Sequence, residues 1–173
     1  MLIRVDEQRD QEAVFAINAS AFETEAEANL VDALRERARP FVSLVAEVEG
    51  VVVGHIMFSP VTLLGHPDLK VIGLAPMSVM LEKQRTGIGS AMVRAGLEEC
   101  AVLGFVAAVV LGHPEYYPRF GFSPSCKFDI DSEYEVVEEV FMAMELQPRA
   151  FRREIGADFV SCRIWRAIKL LTK

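Results

Sequence analysis

The residues best suited to chemistry form a short segment with two glycines, Gln84 to Ser90, which reads QRTGIGS. It joins the end of a predicted strand to the start of a predicted helix. Glycine lets the backbone approach a ligand closely, and the unpaired N–H groups of a first helical turn carry the positive end of the helix dipole. Such a corner binds phosphate. The neighbouring Arg85 and Thr86 favour an anion site over a simple tight turn.

Other familiar phosphate loops do not fit these residues. A dinucleotide fingerprint needs a third glycine at position 92, which is Met92, and a Walker loop needs a Gly-Lys pair, which the sequence lacks. No Gly-x-Ser-x-Gly elbow is present, and Cys100 falls inside a predicted helix with no histidine near it in sequence. The sequence therefore argues against NAD, against ATP in a P-loop, and against a covalent enzyme nucleophile.

Metal and disulfide chemistry are also disfavoured. The histidines and cysteines stand at wide spacings that match neither a zinc ligand pattern nor a Cys-x-x-Cys pair. We expect no catalytic metal, and we expect reduced thiols in a cytoplasmic protein without a secretory leader. The residues in question are His55, His66, His113, Cys100, Cys126 and Cys162.

The composition limits the possible partners. The chain has 173 residues, of which 51% are hydrophobic and 25% charged, so it is not a disordered sequence. Its 18 basic and 25 acidic residues give a net charge of −7, which argues against nucleic acid as the main ligand. The longest apolar run, Phe105 to Leu111, is far shorter than the roughly 20 residues of a membrane span, so no membrane partner is expected.

The elements that must position the glycine segment follow from the patterning. Two helices come after a first strand: Asp10 can cap one, and Thr24 with Glu27 forms a possible capping box for the other. A β-rich stretch follows, with a tight hairpin turn at Glu49-Gly50. The predicted strands are Leu2–Val5, Val42–Val48, Val51–Ser59, Val61–Leu64 and Leu69–Leu81.

The next part of the chain changes character. A helix is predicted from about Gly87 to Leu103, and the apolar run Phe105 to Leu111 is typical of a strand buried on both faces. Strand, helix and strand in this order imply a parallel pair with a right-handed crossover. We therefore predict an α+β fold with a mixed, mostly antiparallel central sheet flanked by helices.

At the glycine segment the chain resembles the GNAT superfamily of N-acetyltransferases, whose loop between a central strand and a helix holds the pyrophosphate of acetyl-CoA. The match is Gln84-x-x-Gly87-x-Gly89. The preceding strand contains Pro76, and a proline there indicates a bulge or interrupted pairing. The run Tyr116-Tyr117-Pro118-Arg119-Phe120-Gly121-Phe122 is similar to the family's tyrosine segment, and with His113-Pro114 it resembles an uncharacterised bacterial subgroup.

The resemblance implies roles for particular residues. An amine would attack the acetyl thioester directly, with Tyr117 as general acid for the leaving thiolate. Backbone groups of Met77, Val79 and Leu81 would run beside the pantetheine arm, and the Val79 N–H would face the thioester carbonyl. The residues expected to bind acetyl-CoA, as co-substrate, are Met77, Val79, Leu81, Gln84, Arg85, Thr86, Gly87, Ile88, Gly89 and Ser90.

Two questions stay open at this stage. The strand lacks the glutamate that many relatives use as general base, so Glu47, His55, Ser78 and His113 are all candidates. For the same reason a non-catalytic, acyl-CoA-binding regulatory module is the alternative to an enzyme. The acceptor would be a primary amine on a small molecule or peptide. Acids at 23, 25 and 27 and from 129 to 139 favour a cationic acceptor.

The predicted acetyltransferase domain covers residues 1–146, and residues 147–173 form a C-terminal extension. This extension is basic, and Val160, Ile164, Ile168 and Leu171 lie at helical spacing. That pattern indicates an amphipathic element that packs on its own domain or on a second subunit, so a homodimer is possible. The alternative is a basic surface for a membrane or an acidic partner.

Overall fold

The computed structural model describes residues 1–132 and 136–151 and, for residues 162–165, the main chain. Short 3₁₀ turns at Leu81–Lys83 and Tyr117–Phe120 separate some of its elements. The helices are α1 (Gln11–Ala21), α2 (Ala26–Arg37) and α3 (Ile88–Val102). The strands are β1 (Leu2–Val5), β2 (Val42–Val48), β3 (Val51–Leu63), β4 (His66–Val79), β5 (Ala107–Leu111), β6 (Ser123–Pro124), β7 (Ile130–Ser132), β8 (Phe141–Glu145) and β9 (Cys162–Trp165).

One central sheet organises the described residues. Its strands run in the order β1-β2-β3-β4-β5-β8-β6, and β9 joins the far end of β3 and pairs with β7. Along that order every pair is antiparallel except β4 and β5, which α3 connects as a parallel crossover. The predicted fold class, a mixed and mostly antiparallel sheet flanked by helices, is confirmed.

The hairpin between β2 and β3 forms where it was predicted. Glu49 and Gly50 have φ angles of 52° and 82°, so both turn residues are left-handed, as in a two-residue hairpin. The prediction of separate strands on either side of Pro60 was wrong, because Pro60 pairs with Ile72 within one continuous strand β3. Similarly, β4 starts before Leu69 and ends before Leu81.

The helices cover opposite faces of the sheet. Met92 and Val93 of α3 pack on one face with Phe58 of β3. On the other face, Val14 of α1 and Leu30 of α2 pack together over β2 and β3. The central strands therefore lie between α3 on one face and α1 and α2 on the other.

The capping box predicted at the start of α2 does not form. The helix begins at Ala26, and the Thr24 hydroxyl accepts the Ala26 N–H at 3.3 Å. Glu25 therefore occupies the N-cap position, and Glu27 comes only two residues after it, too early for a capping box. One carboxylate oxygen of Glu27 is buried and has no hydrogen-bond partner among the described residues.

The helical spacing in the C-terminal extension was misleading where the structure describes it. Residues Cys162–Trp165 form strand β9, in which Ile164 pairs with Leu63 of β3. A four-residue spacing is consistent with a strand as well as a helix, so the pattern alone could not distinguish the two. Val160, Ile168 and Leu171 lie outside the described residues.

Within the described part of the chain, each helix is too short or too polar to cross a bilayer.

Candidate active site

A gap opens between β4 and β5 at the point where the sequence predicted a bulge. Leu74 lies opposite Phe58, but Met77 lies opposite Ile56, so β4 has one more residue than β3 in this interval. The pairing of β4 with β5 ends at Leu74. Beyond the bulge, β4 therefore keeps β3 as its neighbour and leaves its other edge open.

The backbone of Val79 faces this gap. The Met80 N–H donates to the Val53 carbonyl of β3 at 2.9 Å, and backbone groups of successive strand residues point to opposite sides. Val79 therefore directs its N–H and C=O away from β3, as does Met77. The Gln84 side chain donates to the Val79 carbonyl at 3.1 Å, which agrees with this direction.

Leu81 does not lie in the strand in which it was predicted. Strand β4 ends at Val79, and Leu81 starts a 3₁₀ turn in which its carbonyl accepts the Gln84 N–H at 3.2 Å. The Leu81 side chain is 70% exposed. The alternating strand geometry that was predicted for Met77, Val79 and Leu81 therefore holds for the first two only.

The loop before α3 presents an uncapped helix N-terminus. Arg85 and Gly87 have φ angles of 61° and 90°, and this left-handed backbone turns the chain into the helix. The Thr86 hydroxyl is used within the loop, where it donates to the Lys83 carbonyl at 2.6 Å. Among the residues that the structure describes, no side chain caps α3, and the first turn of the helix contains no acid. The N–H groups of residues 88–90 are thus available to an anion.

The tyrosine segment lies against the start of α3. The Tyr116 hydroxyl lies 3.3 Å from the Ser90 hydroxyl. A Cβ added at Gly89 would come within 3.0 Å of the Tyr116 hydroxyl and 3.8 Å of the Met77 sulfur. The strand, the glycine loop and the tyrosine segment are therefore in contact around one cleft.

Tyr117 occupies a more enclosed position than Tyr116. Its ring lies edge-on to those of Tyr116 and Phe122, with centroids 5.1 and 5.8 Å away. It also lies on Gly112, where an added Cβ would come 2.2 Å from the Tyr117 ring. Burial, with a smaller effect from Tyr116, raises the pKa of Tyr117 to about 12, so its phenol stays protonated at neutral pH.

Three of the four candidate bases are engaged elsewhere. Glu47 pairs with Arg4 at 2.8 Å. His55 is fully buried, and desolvation lowers its pKa to about 3, which makes it a very weak base. The hydroxyl of Ser78 is also buried and donates to Asn18.

The fourth candidate, His113, has a different environment. It is exposed and follows β5 closely, next to the tyrosine segment. Its carbonyl accepts the N–H of Tyr116 at 3.0 Å, so its backbone is fixed relative to that segment. Of the four candidates, His113 is the exposed one, and its backbone is bonded to the tyrosine segment.

Asn18 was missed in the sequence. It is fully buried in α1, and its side chain contacts both His55 and Ser78. The available signal was an asparagine on the apolar face of a predicted helix, between Ile17 and Ala21 and four residues after Val14. A polar residue in that position needs buried partners.

The structure also contains a cavity away from the cleft. A cavity of about 480 Å³ contains none of the predicted site residues. Within the described residues no three His, Cys, Asp or Glu side chains gather as a metal site would require. The cavity is lined by Ser125, Cys126, Asp131, Ser132, Val136, Glu138 and Phe141.

Among the described residues, a strand amide that points away from its neighbouring strand, an uncapped helix start and a tyrosine segment meet around one cleft. This arrangement suits an acyltransferase whose acyl donor carries phosphate. The family model for the acetyltransferase (GNAT) domain matches residues 3–125. The uncharacterised N-acetyltransferase YhbS of Escherichia coli K12 is 36% identical over 157 residues, covering 90% of this chain and 93% of that protein. The chain belongs to the GNAT family.

Two solved structures of GNAT acetyltransferases are also similar to this chain. The YhbS structure from Escherichia coli, in complex with CoA, aligns with a TM-score of 0.83 and 31% identity, covering 95% of this chain and 89% of that one. A GNAT acetyltransferase from Brucella melitensis, in complex with acetyl-CoA, aligns with a TM-score of 0.73 and 30% identity, covering 96% of each chain. The predictions of the family and of an N-acetyltransferase are confirmed.

Proposed function

We propose that this N-acetyltransferase binds acetyl-CoA in the cleft between β4 and β5 and transfers the acetyl group directly to a primary amine. The observation that carries the proposal is the contact between an uncapped α3 and a strand whose Val79 amide faces the gap. The first can hold the diphosphate and the second the thioester oxygen. The acetyl-CoA and CoA complexes of the two relatives support this choice of co-substrate.

Each predicted residue then has a task. The N–H groups of Ile88, Gly89 and Ser90 bind the diphosphate, while Gly87 and Thr86 shape the loop and Arg85 adds an exposed positive charge. Met77 and Val79 line the pantetheine arm. Gln84 bonds to the Val79 carbonyl and thereby helps to fix the backbone of that residue. Leu81 contributes through its turn and not through the strand.

The reaction needs no enzyme nucleophile. The amine nitrogen attacks the acetyl carbonyl carbon, and the Val79 N–H stabilises the oxyanion that forms. The C–S bond then breaks, and the CoA thiolate takes the proton of Tyr117. The nitrogen loses its extra proton to a base, for which His113 is our candidate, or to water.

The acceptor is proposed to be a cationic amine. Glu27 is partly buried, and one of its carboxylate oxygens has no hydrogen-bond partner among the described residues, so a cationic amine could supply one. Asn18 of α1 bonds to Ser78 beside the gap, and α1 ends three residues later, about 4.5 Å of helix rise away. The loop that leads to Glu27 therefore starts close to the gap.

The remaining proposals concern the whole chain. Residues 1–146 form the acetyltransferase domain, and the pairing of β9 with β3 supports an extension, residues 147–173, that packs on the same domain. Cys100 and Cys126 are free thiols, which agrees with a reducing, cytoplasmic location. A homodimer and the choice between small-molecule and peptide acceptors stay predictions.

A panel of polyamines, amino acids, aminoglycosides and peptides, assayed by release of the CoA thiol, tests the function. We expect turnover with cationic amines and a fall of about tenfold or more in kcat/KM for Glu27→Gln. Glu25→Gln is the matched control, because Glu25 is exposed in the same turn. Calorimetry should show binding of acetyl-CoA. Absence of binding would overturn the site, and turnover confined to neutral or anionic acceptors would overturn the role of Glu27.

A further inference from the structure

The open segment of β4 has an unusual support. From Met77 to Val79 the strand does not pair with β5. Its backbone hydrogen bonds in the sheet are therefore those to β3. This is the segment whose Val79 amide must stay aligned with a thioester. Its alignment therefore depends on whatever else contacts Ser78, the residue that shares a peptide bond with Val79.

A buried chain of hydrogen bonds supplies that contact. The Ser78 hydroxyl donates to Asn18 Oδ1 of α1 at 2.9 Å. Asn18 Nδ2 lies 3.0 Å from His55 Nδ1 on β3, and His55 Nε2 lies 3.0 Å from the Ser43 hydroxyl on β2. One helix and three strands are thereby joined at one point. We call Ser43, His55, Asn18 and Ser78 the polar clamp.

The proton positions in the polar clamp follow from its partners. Asn18 Nδ2 also donates to the Val14 carbonyl at 2.9 Å, which identifies that atom as the amide nitrogen. His55 Nδ1 must then accept, so the ring proton lies on Nε2 and is donated to Ser43. Every polar atom that bonds here has a complementary partner, and the histidine is neutral.

The polar clamp lies where an apolar core would be simpler. The four side chains are at most 3% exposed, and burying this many polar groups gains little stability over apolar packing even when all are paired. Its register is also specific, because His55 and Ser78 lie directly opposite each other in the β3–β4 pair. Stability alone therefore does not explain why these polar groups occur at this point of the sheet.

We propose that the polar clamp is a positioning device that replaces the missing β5 ladder and fixes the Ser78–Val79 peptide for catalysis. This rests on the proposed function, in which the Val79 amide binds the thioester oxygen. Ser78, Asn18, His55 and Ser43 touch no substrate in this account. They act through the backbone of Val79, and they tie α1 to the same point.

Ser78→Ala tests the proposal. Loss of its hydroxyl frees the end of the polar clamp next to Val79, so we expect kcat to fall about tenfold or more, since small misplacements are costly to catalysis. The Kd for acetyl-CoA should stay within about twofold, because the diphosphate site on α3 is intact. Ser78→Thr returns the hydroxyl and should recover most of kcat. Equal kcat in wild type and Ser78→Ala would overturn the proposal.

Two further variants separate positioning from a general loss of stability. Ser20→Ala removes a serine hydroxyl from the same helix, where it donates to the Ile17 carbonyl at 3.0 Å and takes no part in the polar clamp, and should leave kcat unchanged. Ser43→Ala cuts the polar clamp at its far end, two strands from β4, and should lower kcat by several fold. If Ser20→Ala and Ser43→Ala lower kcat alike, the polar clamp has no special role.

A measurement without ligand distinguishes failure of this inference from failure of the proposed function. Hydrogen exchange of the Met80 amide, which bonds to β3, should be about tenfold faster in Ser78→Ala than in wild type and unchanged in Ser20→Ala. An unchanged exchange rate in Ser78→Ala would overturn the polar clamp. Absence of acetyl-CoA binding in wild type would overturn the proposed function instead.

Discussion

The high pKa of Tyr117 suits a proton donor only if the site that surrounds it is enclosed. Its pKa of about 12 exceeds that of a thiol in water by some 3.5 units, or about 5 kcal/mol against proton transfer. Burial acts on thiols in the same way, since desolvation raises the pKa of buried Cys100 to about 12. Enclosure of the CoA thiol beside Tyr117, as proposed, would raise the pKa of that thiol and so reduce this mismatch.

Replacing Tyr117 by phenylalanine should separate proton donation from binding. We expect Tyr117→Phe to lower kcat about 10²-fold or more, the usual contribution of a general acid, with the Kd for acetyl-CoA nearly kept. Tyr116→Phe removes the hydroxyl next to Ser90, so its effect should appear mainly in that Kd. Steady-state kinetics together with calorimetry measure both quantities. An unchanged kcat in Tyr117→Phe would exclude Tyr117 as the acid.

At the residue scale, the sequence predicted the groups whose role depends on local backbone chemistry. Gly87 has the positive φ that its place before α3 required, and Pro76 lies at the bulge. The environment of a side chain could not be predicted in this way. His55 and Ser78 were candidate bases, and only the three-dimensional contact with Asn18 shows that both are buried structural partners.

At the scale of elements, α3 has two glycines with different tasks. Gly89 lies in the first turn, below the Tyr116 hydroxyl and beside the proposed diphosphate site. Gly96 lies two turns later, where an added Cβ would come 2.1 Å from the ring of Phe58. Gly89 therefore borders the proposed ligand site, whereas Gly96 leaves room for the sheet.

Substitution by alanine should therefore affect ligand binding at Gly89 and protein stability at Gly96. Gly89→Ala should weaken acetyl-CoA binding about tenfold without lowering the melting temperature, because alanine favours the helix and the Tyr116 hydroxyl can move. Gly96→Ala should lower the free energy of unfolding by about 1–3 kcal/mol through overpacking, with the Kd of the folded protein unchanged. Calorimetry and thermal melts measure both. If Gly89→Ala is destabilised and binds normally, the loop is not the diphosphate site.

The order and type of the elements were largely predictable, because α3 and β5 carry strong periodic patterns. The limits of elements were harder, since Pro60 reads as a strand break and is accommodated within β3. Thr24 and Glu27 have the spacing of a capping box, but α2 starts too late to form it. In both cases the local pattern fitted more than one backbone arrangement, and only the structure distinguishes between them.

At the scale of the whole molecule, two buried groups make folding sensitive to acid. Hydrogen bonds from Arg4 lower the pKa of Asp10 from 3.8 to about 2. Burial lowers the pKa of His55 from 6.5 to about 3. In each case the unfolded chain takes up a proton at a pH where the folded protein does not. Both groups therefore favour the unfolded chain as the pH falls.

The two contributions fall in different pH ranges. Above pH 6.5, His55 is mostly neutral in both the folded and the unfolded chain, so it has little effect on the free energy of unfolding. Below that pH, its protonation in the unfolded chain removes stability progressively towards pH 3, by up to about 5 kcal/mol. The stability from Asp10 is present above pH 3.8 and is lost as the pH falls through 2, by about 2 kcal/mol.

The net charge of −7 acts in the opposite direction, because protonation of surface carboxylates relieves their mutual repulsion. At 0.15 M salt the repulsion between exposed charges is largely screened beyond about 8 Å. We therefore expect the free energy of unfolding, from denaturant titrations at that salt concentration, to be level above pH 7. It should fall from pH 6.5 downwards with a slope that approaches about 1.4 kcal/mol per pH unit.

Asp10→Asn provides the control for this profile. It should lower the free energy of unfolding at neutral pH by about 2 kcal/mol, because Arg4 loses its buried partner. The decline that begins at pH 6.5 should persist in this variant, since that decline belongs to His55. A level profile between pH 7 and pH 5 in the wild type would contradict a buried, neutral His55, and with it the proton positions assigned to the polar clamp.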